Sequence, residues 1–163
     1  MIVAMIEPVF KPATADDVET MLAMMRDFYA HDGLAFDESI ARRALEGVIG
    51  GGALGWAFLI FLATDVAGCA VLTFGYSLEF HGRDAFIDEL YIRDEYRGRG
   101  IGTRALEFLT GVCADNGVHA LRLEVERSNT RAQSVYRGFG FKDQDRYLMT
   151  KWINTRNAFP PDT

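Results

Sequence analysis

The feature that most constrains this chain is a glycine-rich loop between a predicted strand and a predicted helix. Residues 96–103 have the sequence Tyr-Arg-Gly-Arg-Gly-Ile-Gly-Thr. Three glycines at alternate positions allow a tight backbone turn and bring N–H groups close to a ligand. Because these groups open a helix, the helix dipole adds to their attraction for an anion, and Arg97 and Arg99 add positive charge. The loop therefore predicts an anion site suited to a pyrophosphate, with a glycine-rich helix start and solvated arginines as the alternative.

Two other phosphate-binding motifs fit this loop less well. A P-loop requires a lysine after its last glycine, and the loop contains no lysine. Residues 100–105 fit the dinucleotide pattern G-x-G-x-x-A, and Glu124 follows about 20 residues later, where that pattern expects an acid. However, residues 93–97 make the turn after the strand too long, and the remaining chain lacks a second βαβαβ half.

Hydrophobic periodicity predicts a single mixed α/β domain over residues 1–154, with a sheet covered by helices on both faces. The predicted order is β-α-α-β-β-β-α-β-α-β. Strands are predicted over residues 6–11, 56–63, 69–76, 84–92 and 121–126, with a last strand or hairpin over 141–142 and 146–152. Helices are predicted over residues 14–30, 38–49, 101–116 and 129–137, the first with a capping box of Thr14 and Asp17. Residues 155–163 are predicted to form a loose tail.

Composition argues against several classes of function. The net charge of −6 is unfavourable for nucleic acid as the main partner and compatible with a cationic ligand. The longest apolar run, residues 56–63, is too short to span a membrane. Since the N-terminus also lacks the basic region of a signal peptide, we expect a cytoplasmic protein with Cys69 and Cys113 reduced in its core. The three histidines have no metal-ligand spacing, so no metal is expected.

The loop and its flanking segments resemble the GCN5-related N-acetyltransferase (GNAT) superfamily. The acyl-CoA-binding motif of that family, Gln/Arg-x-x-Gly-x-Gly/Ala, is matched by Arg97-x-x-Gly100-x-Gly102. The similarity extends over residues 84–142 and includes Gly-Phe-Gly-Phe at 138–141. It implies a GNAT-type central mixed sheet in which acyl-CoA lies in a gap between two splayed parallel strands. It also implies acetyl-CoA as the acyl donor and an amine as the acceptor, with direct attack in a ternary complex.

The same resemblance assigns the residues that would hold the acyl-CoA. Main-chain groups of the strand before the loop would bond the pantetheine arm, the loop would hold the pyrophosphate, and the short helix further on would contact the arm. The residues so assigned are Leu90, Tyr91, Ile92, Arg97, Gly98, Arg99, Gly100, Ile101, Gly102, Thr103, Asn129 and Ala132. Asn129 is also explained as the N-cap of the short helix, and the two roles are compatible.

Acetyl transfer requires a base for the acceptor ammonium and an acid for the leaving thiolate. The resemblance assigns the acid to Tyr136, with a packed tyrosine of no catalytic role as the alternative. Asp88 matches a strand position at which polyamine acetyltransferases carry a carboxylate, and Glu124 matches the position used by ribosomal-protein alanine acetyltransferases. Asp88 is the first candidate for the base and Glu124 the second. Glu89 is expected to face away from Asp88 if the strand is regular.

The acidic chain and the Asp88–Glu89 pair favour a small cationic amine as acceptor, of the polyamine, diamine or aminoglycoside type. The resemblance places several aromatic residues near the acceptor pocket, although core packing is the simpler explanation for them. They are Tyr29, Phe36, Tyr76 and Phe80. The alternatives are a protein N-terminus or lysine as the acceptor, and a non-catalytic acyl-CoA-binding sensor. Dimers are common in the family, so the resemblance is compatible with a homodimer.

Overall fold

A five-stranded sheet forms the centre of the fold in the computed structural model, which describes residues 6–153. The strands lie side by side in chain order and are β1 (Pro8–Pro12), β2 (Gly55–Leu62), β3 (Asp65–Ser77), β4 (Gly82–Ile92) and β5 (Ala120–Arg122). Neighbouring strands are antiparallel except for β4 and β5, which are parallel. The sheet is therefore mixed, as the sequence predicts.

Within the described residues, four α-helices accompany the sheet. They are α1 (Val18–His31), α2 (Glu38–Glu46), α3 (Ile101–Asp115) and α4 (Thr130–Gly138). Ahead of α1, the Asp17 carboxylate accepts a hydrogen bond of 2.8 Å from the N–H of Thr14, as the predicted capping box requires. After α3, Gly117 has a left-handed φ of 65°, the conformation expected of a residue that follows a helix.

Each face of the sheet has its own apolar core. Residues of α1 and α2, among them Met21 and Leu45, pack on one face. Residues of α3, among them Leu106, pack on the other face together with half-buried residues of α4. Cys69 belongs to the first core and Cys113 to the second, so the sheet separates these two free thiols. This arrangement confirms the predicted sheet with helices on both faces.

Strand β4 is irregular near its middle. Val71 of β3 pairs with Glu89, whereas the next β3 residue, Leu72, pairs with Ile87. Asp88 is therefore an extra residue in β4 without a partner in β3, which makes it the site of a β-bulge. A bulge interrupts the alternation of side chains between the two faces of a sheet, so residues on either side of Asp88 no longer follow one regular pattern.

The β2–β3 hairpin is tighter than the sequence predicts. Strand β3 begins at Asp65 rather than at residue 69, so only residues 63–64 connect it to β2. Ala63 has a left-handed φ of 56° in this turn. The paired stretch is longer because Gly68, which reads as a turn residue in the sequence, lies in the sheet opposite Ile60 and Ile92.

The segments that follow α3 and α4 also differ from the prediction. Strand β5 ends at Arg122 rather than at residue 126, and residues 139–153 contain no strand, so the predicted last strand or hairpin is wrong. Alternating residues form a stable strand only where a neighbouring strand pairs with them. Within the described range none does so here, and the side chains of residues 147–149 are exposed. The predicted tail, residues 155–163, lies outside the described residues.

Two absences hold for residues 6–153. None of the helices in this range is long and apolar enough to cross a bilayer. No three His, Cys, Asp or Glu side chains in the same range are grouped closely enough to hold a metal ion.

Candidate active site

Strand β4 has an open edge where it separates from β5. The parallel pairing covers only three residues of β4 and stops at Phe86, opposite Arg122. Beyond this point β4 continues to Ile92, and these residues, apart from the bulged Asp88, are paired with β3 along their other edge. Backbone N–H and C=O groups on such an edge can pair with an extended ligand, as another strand would. Leu90, Tyr91 and Ile92 lie in this segment. They follow the point at which the parallel strands β4 and β5 separate, and the resemblance implies a gap of this kind.

The glycine loop joins this edge to the start of α3. Gly98 and Gly100 have left-handed φ values of 74° and 77°, which glycine adopts without strain. Gly100 is the N-cap residue, and no side chain caps the helix there. The N–H of Arg104 is the first to bond back to Gly100, so the N–H groups of residues 101–103 have no acceptor within the helix.

Gly102 differs from the other two glycines because it lies inside the first turn of α3. A Cβ atom at this position would meet no protein atom within 4 Å. Its backbone is helical, so neither the conformation nor the packing of the described residues requires glycine. A ligand that approaches the helix N-terminus closely would require it. This open cradle of N–H groups therefore fits a pyrophosphate.

The two predicted arginines also hold the loop in place. The Arg97 side chain donates from Nε to the carbonyl of Ile92 at 2.9 Å and forms an ion pair of 2.8 Å with Asp94. Arg99 donates to the carbonyl of Glu95 at 2.9 Å. Both guanidinium groups thus use some of their donors to fix the turn between β4 and α3, while their charges stay at the loop.

The bulge changes the relation between two adjacent acids of β4, Asp88 and Glu89. Ile87 and Leu90 pack in the α3-side core, whereas the carboxylate of Glu89 bonds to Tyr29 of α1 on the opposite face. The strand is not regular here, so the condition on which Glu89 was expected to face away from Asp88 is not met. The charge of Asp88 contributes to a raised pKa for both Tyr29 and Glu89, so Asp88 lies within electrostatic range of both side chains.

Glu89 is the most unusual side chain of this region. It is only 5% exposed, and its Oε1 accepts a hydrogen bond of 2.9 Å from the hydroxyl of Tyr29. Its other oxygen, Oε2, is buried without a hydrogen-bond partner among the described residues. Burial raises the pKa of Glu89 to about 7; the Tyr29 hydrogen bond opposes this rise, and the nearby charge of Asp88 adds to it.

The two carboxylates predicted as candidate bases belong to residues that are more exposed than Glu89. Asp88 occupies the bulge on the open edge of β4, where partial burial of the carboxyl raises its pKa. Glu124 follows the end of β5, outside the strand in which the sequence placed it. Asp88 thus lies on β4, which borders the gap, and Glu124 lies in the segment that follows β5.

Helix α4 carries two of the predicted residues. The side chain of Asn129 accepts a hydrogen bond of 3.1 Å from the N–H of Ala132, which confirms its role as the N-cap. Tyr136 is half-buried against the α3-side core, with its ring edge-on to Phe141 at 5.9 Å between centroids. Burial raises the pKa of the Tyr136 phenol, so it stays protonated at neutral pH. Tyr136 and Glu89 therefore pack on opposite faces of the sheet.

The four aromatic residues predicted near the acceptor separate into two groups. Tyr29 and Phe36 pack together with ring centroids 5.6 Å apart, beside Glu89. Tyr76 pairs with Arg83 near the far end of the β3–β4 hairpin, and Phe80 lies in the turn of that hairpin. The first pair thus lies beside Glu89, and the second lies towards the opposite end of β4.

Sequence reasoning named Glu89 but did not select it, and it treated Tyr29 only as an aromatic residue. Two adjacent acids in a strand were the available signal. The hydrogen bond between Tyr29 and Glu89 joins residues 60 positions apart, and the bulge that directs Glu89 towards α1 leaves no mark in the hydrophobic pattern.

Comparison with known sequences identifies a matching family and a relative. Residues 22–141 match the family described as the acetyltransferase (GNAT) family. A thialysine N-epsilon-acetyltransferase of Bos taurus is 36% identical over 78 residues, which are 48% of this chain and 45% of that protein. The chain therefore spans less than half the length of this curated relative.

Solved structures share the fold over most of the chain. An integron cassette protein from the mobile metagenome of Cole Harbour Salt Marsh matches with a TM-score of 0.78 at 32% identity, covering 89% of this chain and 90% of that one. An aminoglycoside N-acetyltransferase in complex with CoA matches with a TM-score of 0.75 at 11% identity, covering 94% and 100%. At 11% identity, the second match shows a common fold alone.

Proposed function

Because this chain belongs to the acetyltransferase (GNAT) family, we propose that it transfers an acetyl group from acetyl-CoA to a primary amine. The observation that supports this proposal most directly is the open edge of β4 beside the glycine loop. An extended, anionic donor needs a strand edge for its amide groups and N–H donors for its phosphates. Both occur within residues 87–103.

The chain would bind the donor through groups on three segments. Main-chain groups of residues 90–92 would pair with the pantetheine amides, and N–H groups of residues 98–103 would hold the pyrophosphate, with Arg97 and Arg99 adding charge. Asn129 and Ala132 would contact the arm from the start of α4. Acetyl-CoA supplies the acetyl group as a thioester, which a neutral amine can attack.

Proton transfer is the remaining chemical task. An alkyl ammonium with a pKa near 10.4 is only about 0.04% neutral at pH 7, so the site needs a base. The resemblance offers Asp88 and Glu124 for this role; Asp88 lies on the open edge of β4, and Glu124 lies in the segment after β5. Tyr136 would donate the proton that the leaving thiolate takes up, and its raised pKa keeps that proton in place at neutral pH.

We further propose that the acceptor is a small cationic amine. The chain carries a net charge of −6, and Asp88 and Glu89 concentrate negative charge beside Tyr29 and Phe36. Acids next to aromatic faces favour an ammonium group on an apolar stem. The Bos taurus relative, whose name specifies an N-epsilon amine as its acceptor, supports the same class.

Thiol release from acetyl-CoA tests this proposal. The acceptor panel contains a diamine, a polyamine, an aminoglycoside, thialysine and a peptide with a free N-terminus, and a reaction without acceptor is the control. We expect acceptor-dependent release, fastest with one of the small amines. Acetyl-CoA binding without release for any acceptor would favour a non-catalytic sensor, and the absence of binding would remove the donor assignment. Preference for the peptide would overturn the acceptor class alone.

A further inference from the structure

Glu89 has no role in the proton transfers assigned above, yet its environment is costly to maintain. A carboxylate that is 95% buried normally has hydrogen-bond donors for both oxygens, because an unpaired buried charge is strongly unfavourable. Here Tyr29 satisfies Oε1, and Oε2 has no donor among the described residues. An ammonium or a neutral amine is the kind of group that would satisfy Oε2.

The position of Glu89 relates this free oxygen to the gap beside β4. Glu89 immediately precedes Leu90 on the open edge, and its side chain lies on the α1 face. Tyr29 and Phe36 pack on that face, and exposed Asp88 lies beside Glu89 in the bulge. An amine bound at Oε2 would therefore lie next to the segment assigned to the donor.

We propose that Glu89, rather than Asp88 or Glu124, is the catalytic base, with Oε2 accepting the acceptor's proton and Tyr29 positioning the carboxylate through Oε1. This assignment rests on the proposed function. In the step, one N–H bond of the ammonium breaks and its electron pair stays on nitrogen. An O–H bond forms at Oε2, and the neutral carboxyl later releases its proton to solvent.

The groups around Glu89 suit this role. Tyr29 faces it from α1, Asp88 adjoins it in β4, and the buried thiol of Cys69 faces it from β3, itself under the influence of Arg93. The thiol remains neutral because burial raises its pKa. With its own pKa raised to about 7, Glu89 is a stronger base than an ordinary carboxylate and is still ionised at mildly alkaline pH.

The first test is the pH dependence of kcat/KM for the best amine in the thiol-release assay. The wild-type rate is expected to rise with pH as a group of pKa near 7 loses its proton. This rise is the acid limb of the pH profile. Glu89→Gln should lower the rate by at least about 100-fold and abolish this limb. Tyr29→Phe should move the limb to higher pH, because the Tyr29 hydrogen bond lowers the pKa of Glu89. Matched controls are Glu46→Gln and Tyr147→Phe, both on exposed residues.

The outcomes separate this assignment from the proposed function. Turnover that keeps its acid limb in Glu89→Gln would overturn the assignment and leave acetyl transfer intact, and loss of the limb in Asp88→Asn would identify Asp88 as the base. Absence of turnover in the wild type, with every amine, would overturn the proposed function and this assignment with it. A shift of the limb to lower pH in Tyr29→Phe would contradict the positioning role.

A second readout does not depend on activity. Between pH 4.5 and about 7, the unfolded chain has released the Glu89 proton while the folded chain retains it. The contribution of Glu89 to the free energy of unfolding is therefore largest below pH 4.5 and decreases as the pH rises to about 7. Relative to Glu89→Gln, the wild type should therefore lose stability as pH rises through this window. The measurement is the urea midpoint of both proteins at half-unit pH steps. Parallel curves would show that Glu89 does not titrate there and would overturn the assignment.

Discussion

At the scale of single residues, Gly102 separates what the fold requires from what a ligand requires. Its backbone is helical and its Cβ position is open, so Gly102→Ala should fold normally and raise the stability of α3 by about 0.5–1 kcal/mol. The added methyl group would occupy the cradle at the helix start. We expect acetyl-CoA affinity to fall at least about tenfold, which is ~1.4 kcal/mol, as measured by isothermal titration calorimetry.

Gly111 provides the matched control for this experiment. It lies in the same helix and its Cβ position is equally open. Gly111→Ala should give a similar gain in stability and leave acetyl-CoA affinity unchanged. Full affinity in Gly102→Ala would show that no ligand group approaches the first turn of α3.

Tyr136 allows a test of the proposed acid. Tyr136→Phe removes only the hydroxyl and keeps the ring packed against Phe141, so the fold and the acetyl-CoA affinity should be unaffected. Turnover should fall by roughly 10²–10⁴-fold, the usual contribution of general acid–base catalysis. Steady-state kinetics with the best amine provides the measurement, and Tyr147→Phe, at an 84% exposed position, is the control. A turnover equal to that of the wild type would exclude Tyr136 as the acid.

At the scale of elements, the close pairing of β3 and β4 determines the position of the open edge. Gly68 lies opposite Ile92, and a Cβ atom there would overlap the carbonyl oxygen of Tyr91. Gly68→Ala should therefore destabilise the protein by about 1–3 kcal/mol, as overpacking of a buried site does.

The Cβ atom of Gly68→Ala would push against the Tyr91 carbonyl and so displace residues 90–92. Acetyl-CoA affinity should therefore decrease together with stability. Urea denaturation and calorimetry measure the two effects, with Gly111→Ala again as the control. A denaturation midpoint equal to that of the wild type would show that β3 moves away from β4 without cost.

Among the elements, those defined by local patterns were predicted well. Helix α3 was expected over residues 101–116 and occupies Ile101–Asp115, because its apolar spacing and the glycines at both ends are local signals. The bulge at Asp88 was not predicted, since alternation along one strand carries no information about the register of its neighbour. The strand predicted over residues 146–152 does not form for a related reason: within the described residues, no neighbouring strand pairs with this segment.

At the scale of the whole molecule, the net charge of −6 predicts how salt affects the acceptor. The screening length falls from about 10 Å at 0.1 M to about 3 Å at 1 M ionic strength. At saturating acetyl-CoA, kcat/KM for a polyamine should therefore fall roughly tenfold over this range. A weakly basic amine that is neutral at the assay pH is the control. Equal salt dependence for both amines would contradict electrostatic attraction of the acceptor.

The sequence by itself determined the local chemistry of this protein. The glycine loop, the helix that follows it and the cap formed by Asn129 are set by neighbours within a few residues, whose sterics and hydrogen bonds are short-ranged. The tertiary structure decided that Glu89, and not its neighbour Asp88, is buried. Glu89 meets Tyr29 across 60 positions only because a bulge directs it towards α1, and its raised pKa follows from that burial. Desolvation depends on everything packed around a group, so the pattern of residues beside Glu89 in the chain could not reveal it.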